Sequence, residues 1–289
     1  MNIKKLMKGL RSELDSVITS DISTNPLENK IITLTNLQEY KLFLKKIEFS
    51  TIHGPTILFT NGNGWYISTL IKNLLKSKLL NEPYKATMGV ICSDTEAYQI
   101  ALKENMDTFL ADIPLLKVDQ LTSVKQKEDY LRLVFVKIVL TYHALKLGYT
   151  VIYIDPDMAF KLPSLGYIIE KISENGLVLA GYKEGNMNTN VIGTIPTQNN
   201  IKLFEVDLFT FEANLLNMTK YNRFAGSDEE FLIMKDEYSP EEIHYLDVEL
   251  FPTGKTTTNN KNIMMLHANC VQGLNNKVDF LNTFGGWFI

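Results

Sequence analysis

Thr150-Val151-Ile152-Tyr153-Ile154-Asp155-Pro156-Asp157 is the stretch on which the fold turns. Five residues without charge, rich in β-branched and aromatic side chains, follow a helix stop at Gly148, and such a continuous run suits a central parallel strand covered on both faces. Pro156 cannot donate to a sheet ladder, so the strand ends there. Two carboxylates then flank one residue at its carboxyl end. Unpaired, they repel; a divalent cation relieves that repulsion, and hard oxygen ligands suit Mn²⁺ or Mg²⁺. Asp155 and Asp157 are therefore the first candidate ligands. By itself an Asp-x-Asp triplet is a weak motif, and the apolar strand ahead of it gives it weight.

Outward from this strand, the first half alternates strand and helix. Residues 129–147 read as a long amphipathic helix through Leu131, Val134, Phe135, Ile138, Val139, Tyr142 and Leu145. Strands are expected at 56–60, 87–92 and 115–118, and helices from Trp65 to Leu79 and from Ser93 or Asp94 onward. That alternation argues for an α/β fold with an open, mostly parallel sheet flanked by helices. Ligands in such sheets bind beyond the carboxyl ends of the strands. The rule sets Thr60, Asn61, Gly62 and Asp94 along one edge with Asp155 and Asp157, although turn and capping roles suit the first residues equally well. The second half is more mixed. Strands are expected at 177–182, 191–195 and 263–266, and helices at 197–216, 228–236 and over a C-terminal stretch marked by Val271, Leu274, Val278 and Leu281. Residues 1–50 read as a helical extension with helices at 1–18 and 37–47, and 51–289 as the main domain. The extension packs on that domain or on another subunit.

Bulk properties narrow the function. The 289 residues carry a net charge of −4, which gives no reason to expect nucleic acid as a partner. Cys92 and Cys270 form neither a disulfide framework nor a Cys-x-x-Cys pair, which favours a reducing compartment. Lys4, Lys5, Lys8 and Arg11 are not followed by an apolar run, so no signal peptide or membrane span is expected and the expected location is cytoplasmic. Arg11, Arg132 and Arg223 are far outnumbered by lysine, and Asn and Ile are abundant, the mark of an AT-rich genome. Two motifs are decoys. Gly254-Lys255-Thr256 lacks the first glycine and the helix of a phosphate loop, and Asn217-Met218-Thr219 is a sequon without a secretory signal.

His267 ends the apolar stretch Ile263-Met264-Met265-Leu266 and is a third candidate ligand, with a structural histidine as the alternative. Asn269, Gly273 and Lys277 recur at steps of four. On a helix they share a face, where glycine admits close approach and lysine offers a point charge to phosphate.

With these residues in view, Lys137 to Phe160 resembles the metal-binding core of the nucleotide-diphospho-sugar transferases of glycosyltransferase family 77. Three further blocks agree in order: Asn188-Thr189-Asn190-Val191, Ser227-Asp228-Glu229-Glu230-Phe231, and Phe251-Pro252-Thr253-Gly254 followed by His267-Ala268-Asn269 and Gly273-x-x-x-Lys277. The resemblance runs from Thr56 to the end. It implies a single GT-A-type domain similar to the glycogenin-like family 8, and transfer of a sugar, with retention of anomeric configuration, from a nucleotide-diphosphate sugar to a hydroxyl acceptor such as a glycan or glycoprotein. UDP is the commonest nucleotide in such enzymes. The resemblance also implies a metal held by Asp155, Asp157 and His267; a nucleotide-sugar pocket formed by Thr60, Asn61, Gly62, Asp94, Asp155, Asn188, Thr189, Asn269, Gly273 and Lys277; and Lys137, Asp228 and Glu229 at the reacting centre. Asn190 replaces the family's usual glycine, and Glu229 its common glutamine. A degenerate sugar-nucleotide-binding protein and a haloacid-dehalogenase-type phosphatase are the competing readings.

Overall fold

The computed structural model describes residues 30–77, 86–118, 127–181, 187–208, 210–212, 214–215, 228–234, 243–252, 261–269, 271 and 273–289. The expected helix at 1–18, the sequon at Asn217 and the Gly254-Lys255-Thr256 triplet lie outside these residues.

Helix α1 (Leu37–Ile47) leads into the short strand β1 (Phe49–Thr51), which turns back antiparallel on β2 (Gly54–Gly62). The strand runs past the expected break at Asn61-Gly62. A helical run follows, α2, made of Gly64–Tyr66, a π-helical stretch Ile67–Ile71, and Lys72–Lys76. Next come β3 (Met88–Cys92), α3 (Thr95–Lys103) and β4 (Thr108–Leu110). The 20-residue helix α4 (Lys127–Lys146) precedes β5 (Thr150–Ile154) and β6 (Met158–Phe160). Then follow α5 (Leu165–Asn175), β7 (Leu177–Gly181), β8 (Met187–Thr194), α6 (Gln198–Leu203), α7 (Asp228–Met234), β9 (His244–Leu246), β10 (Met265–His267) and α8 (Leu274–Thr283).

The main sheet has the order β4-β3-β2-β5-β8-β7-β9, with β1 beside β2. Strands β4, β3, β2 and β5 are mutually parallel, as are β7 and β9. Strand β8 runs antiparallel to both its neighbours. Strand β5 therefore has one parallel and one antiparallel partner, but both its faces are covered, as the uninterrupted apolar run requires. Val151 and Tyr153 join Ile57, Phe59 and Ile192 in the core beneath α1 and α4. Ile152 and Ile154 join Leu58, Val178 and Val191 on the opposite face, beneath Leu165, Ile168 and Ile172 of α5. Gly148, at φ +87, ends the approach from α4, a backbone conformation that favours glycine.

Helix α1 buries Tyr40, Phe43, Leu44 and Ile47 in the same core as β2 and Phe109 of β4. Its fit on the sheet depends on Gly89, where a Cβ would meet Phe43 Cζ at 2.5 Å and Ile47 Cδ1 at 2.7 Å.

Two expected elements differ. Residues 115–118 are not a strand: Pro114 opens a 3-10 turn over Pro114–Leu116, and Thr108–Leu110 pairs with β3 instead. Proline has a fixed φ and no N–H for a ladder. The helix expected over 197–216 stops at Leu203. Val206 then accepts from Ile32 N–H (2.8 Å), and Asp207 bridges to Ile31. Helix resumes after Asp207, whose carboxylate accepts from Thr210 N–H at 2.7 Å in the manner of an N-cap. Among the described residues no helix is long and apolar enough to cross a membrane.

Candidate active site

Three elements deliver the acidic centre. Strand β5 ends at Ile154, and the next residue, Asp155, donates its N–H to Asn190 O of β8 at 2.8 Å. Pro156 turns the chain, and Asp157 leads into β6. The second, two-stranded sheet pairs β6 antiparallel with β10, placing His267 opposite Met158. Ala268 N–H donates to Asp157 O at 3.1 Å. This pairing carries the imidazole from the far end of the chain to the aspartates: His267 Nε2 lies 3.2 Å from Asp157 Oδ1. One ligand atom from each of Asp155, Asp157 and His267 lies within 4.8 Å of the others. Two carboxylates and an imidazole form a donor set that fits Mn²⁺ or Mg²⁺.

Lys277, in the second turn of α8, places Nζ on Asp157 Oδ2 and donates to Ala268 O at 2.9 Å. Burial works against ionisation of Asp157, but Lys277 and His267 outweigh it and hold the carboxyl far below its usual range.

Beside Asp155 lies a second charged cluster. Lys137 projects from α4 into the interior, with its side chain only 4 % exposed. Its Nζ is 2.7 Å from Asp228 Oδ2 and 3.2 Å from Asp155 Oδ1, and donates to Thr189 O at 3.3 Å. Burial would lower its pKa, but Asp155 and Asp228 raise it above the ordinary lysine value. Thr189 Oγ1 also donates to Asp228 Oδ2. Glu229, next along α7, is pushed up to about 8 by burial and by Asp228, with Lys137 acting in the opposite direction. One acidic pair is thus split in character: Asp228 is held by an ammonium and a hydroxyl, while Glu229 retains its proton near neutral pH.

Sequence reasoning passed over three tyrosines. Tyr153 OH lies 2.6 Å from Asp155 Oδ1 and 2.7 Å from Asn61 Oδ1. It stands two residues before Asp155, where strand alternation brings side chains to one side. Burial first, and then Asp157 and Asp155, raise the Tyr66 hydroxyl; burial followed by Asp228 and Asp155 raises Tyr130. Tyr130 stands two helical turns before Lys137, a spacing that could have revealed it.

The other predicted residues divide. Asn61 meets Tyr153 as above, and Asp94 caps α3 by accepting from Ala97 N–H at 2.6 Å and also takes Gly64 N–H at 3.2 Å. Gly62 allows α2 to approach closely, since a Cβ there would meet Ile71 Cδ1 at 3.0 Å. Thr60 Oγ1 and Asn188 Nδ2 are buried and have no hydrogen-bond partner among the described residues. Asn188 Oδ1 accepts from Asn190 N–H at 2.9 Å. The three-residue helical face Asn269-Gly273-Lys277 does not form. Gly273 is the N-cap of α8 at φ +86, so Asn269 lies ahead of the helix and only Lys277 is within it. A left-handed glycine cannot continue a helical period, and this separates the first two residues from the third.

The sequence matches the model of the nucleotide-diphospho-sugar transferase family over residues 86–281, about two thirds of the chain. The chain belongs to this family and is a glycosyltransferase, in accord with the resemblance drawn from its four blocks. The phosphatase reading falls with that assignment. Among solved structures, mouse xyloside xylosyltransferase 1 in its apo form is similar at 13 % identity and TM-score 0.48, covering 76 % of this chain and 99 % of that one. An active-site mutant of LgtC is similar at 12 % identity and TM-score 0.49, covering 80 % and 96 %. GlyE of Streptococcus pneumoniae is similar at 14 % identity and TM-score 0.45, covering 81 % and 65 %. No protein of the curated set matches the sequence significantly.

Proposed function

We propose that the chain is a metal-dependent, retaining glycosyltransferase that takes a sugar from a nucleotide diphosphate, with UDP the expected carrier, and delivers it to a hydroxyl acceptor. The observation that carries this reading is the convergence of Asp155, Asp157 and His267, each offering a ligand atom within 4.8 Å of the others. Mn²⁺ or Mg²⁺ bound there would act as a Lewis acid on the diphosphate leaving group.

The chain's own residues do the rest. Asp155 and Asp157 bind, and β6 and β10 hold His267 to them. Lys137 keeps the Asp155 and Asp228 carboxylates together, orients both, and adds positive charge at the reacting centre. Lys277 supplies positive charge for the diphosphate. Thr60 Oγ1 and Asn188 Nδ2 come from the edge at which an open α/β sheet binds ligands, and buried polar groups without partners among the described residues suit that use. Asp228, paired with Lys137, and Glu229, a proton-bearing carboxyl, are set to meet the sugars. No residue is assigned as a covalent nucleophile; retention is attributed to reaction on one face of the sugar.

The test is a thermal-shift screen of UDP-sugars with and without Mn²⁺, followed by donor hydrolysis. A ligand that binds the folded state raises the apparent Tm by mass action. A shift with one UDP-sugar that requires Mn²⁺, lost together with hydrolysis in a folded Asp157→Asn variant, is the expected result. Undiminished Mn²⁺-dependent hydrolysis in that variant overturns the metal site. Product NMR reads retention directly.

A further inference from the structure

Asn190 occupies a position that faces the candidate metal site, and all its polar groups are engaged. Its N–H donates to Asn188 Oδ1 at 2.9 Å, and its backbone oxygen accepts from Asp155 N–H at 2.8 Å. Its side-chain Oδ1 accepts from Val191 N–H at 3.1 Å. The side-chain amide Nδ2 lies 2.7 Å from His267 Nδ1. Both residues are buried, Asn190 at 1 % and His267 at 4 % exposure, so no bulk water substitutes for these partners.

The chemistry of these contacts selects one form of the imidazole. A backbone N–H can only donate, so Val191 fixes Oδ1 toward itself and leaves the NH2 group toward the ring. An amide NH2 can only donate, so Nδ1 must present its lone pair. In a neutral imidazole the proton then sits on Nε2, the nitrogen that faces Asp157 Oδ1 at 3.2 Å. Ligation through Nε2 needs the opposite tautomer, with the lone pair on Nε2 and the proton on Nδ1 directed at an acceptor. Metal-bound histidines almost always have such an acceptor, a carboxylate or carbonyl.

We propose that Asn190 is a positioning residue that holds His267 in the Nε2–H tautomer and thereby sets the affinity of the site for its divalent cation. The proposal rests on the reading of His267 as a ligand. Cation binding through Nε2 requires the Asn190 amide to turn over, which breaks the Val191 N–H···Oδ1 bond. The resting site is thus built around a histidine–carboxylate hydrogen bond, and the cation must displace it. Asn190→Asp removes the conflict, because a carboxylate accepts from both Val191 N–H and Nδ1–H.

The experiment has two readouts. Long-range ¹H–¹⁵N spectra of the metal-free, histidine-labelled protein report the tautomer, with His267 assigned by the signal lost in His267→Ala. Electron paramagnetic resonance of free Mn²⁺ reports affinity. Nε2–H is expected in the native chain and Nδ1–H in Asn190→Asp, with Mn²⁺ bound about tenfold or more tightly, in line with the usual effect of residues behind a metal ligand. The added negative charge is controlled by Asn190→Asp/His267→Ala, which should gain much less over His267→Ala. An Nδ1–H tautomer in the native protein overturns the proposal without any variant, and so does an equal gain when the imidazole is absent. Unchanged Mn²⁺ affinity in His267→Ala instead overturns the ligand reading, while the metal-free spectrum still decides the tautomer.

Discussion

Lys137 Nζ lies 2.7 Å from Asp228 Oδ2 in a buried environment, joining the long helix α4 to the start of α7. The same ammonium reaches Asp155 at the end of β5. Three segments of the chain thus share one ammonium, a single positive group set between two aspartates.

Removing that cation is expected to be costly. Lys137→Met leaves Asp228 buried without its ammonium, and breaking a buried pair from one side costs about 3–5 kcal/mol. Urea denaturation at pH 7 should show the loss as a lower midpoint. Lys137→Met/Asp228→Asn should recover part of it, because the second change removes the stranded charge. A single variant as stable as the native chain would show that Lys137 does not neutralise the cluster.

Glu229 should make stability depend on pH. Its folded-state pKa, about 8, lies above the ordinary value of 4.5, so the folded chain holds this proton where the unfolded chain has released it. The contribution is complete below the unfolded value and is lost as pH rises through about 8. A single proton of this kind gives a slope of up to ~1.4 kcal/mol per pH unit between the two values. Glu229→Gln, which cannot ionise, should flatten the unfolding free energy between pH 6 and 9 relative to the native protein. Parallel curves for the two proteins would place the titration elsewhere.

Gly89 tests the seating of α1. A Cβ at this position would come within 2.5 Å of Phe43 Cζ and 2.7 Å of Ile47 Cδ1, both in a close-packed core. Overpacking of this sort costs about 1–3 kcal/mol. Gly89→Ala should lower the urea midpoint, and Gly89→Ala/Phe43→Leu should restore part of it by making room. Gly148→Ala, which meets nothing within 4 Å, is strained only through its φ of +87 and separates backbone from packing effects.

What the sequence disclosed follows from how local each signal is. The strand before Asp155, its termination at Pro156 and the helix stop at Gly148 are properties of a few adjacent residues, and all three could be read directly. The βα alternation through α4 needed only periodicity. His267 could be singled out because it closes an apolar stretch, whereas its pairing opposite Met158 is a tertiary fact. Lys137 is singled out by the family resemblance alone; its spacing marks only one more lysine on a helix, and the fold sets Asp155 and Asp228 around it. Asn190 stood out as a departure from a family pattern, with nothing in the sequence to say that its amide meets an imidazole from the far end of the chain. The spacing Asn269-Gly273-Lys277 misled because periodicity ignores the sign of φ, and Gly273 is left-handed. Residues 115–118 failed because Pro114 outweighs their apolar character.

Lys277 gives the sharpest test of how the acidic centre is balanced. Its Nζ sits on Asp157 Oδ2, the carboxylate that would also receive a divalent cation. Two positive groups cannot share one oxygen without repulsion, so the ammonium and the metal compete. Lys277→Met removes the competitor. At a few ångströms and an effective dielectric near 20, such repulsion is worth at least ~1.4 kcal/mol, so Mn²⁺ should bind roughly tenfold more tightly to the nucleotide-free variant. Binding of UDP in the presence of saturating Mn²⁺ should move the other way, because the diphosphate loses a point charge. Calorimetric titration of Mn²⁺ alone and of UDP with Mn²⁺ reads the two effects separately. Weaker binding of both would mean that Lys277 supports the metal centre as a scaffold and does not compete for Asp157.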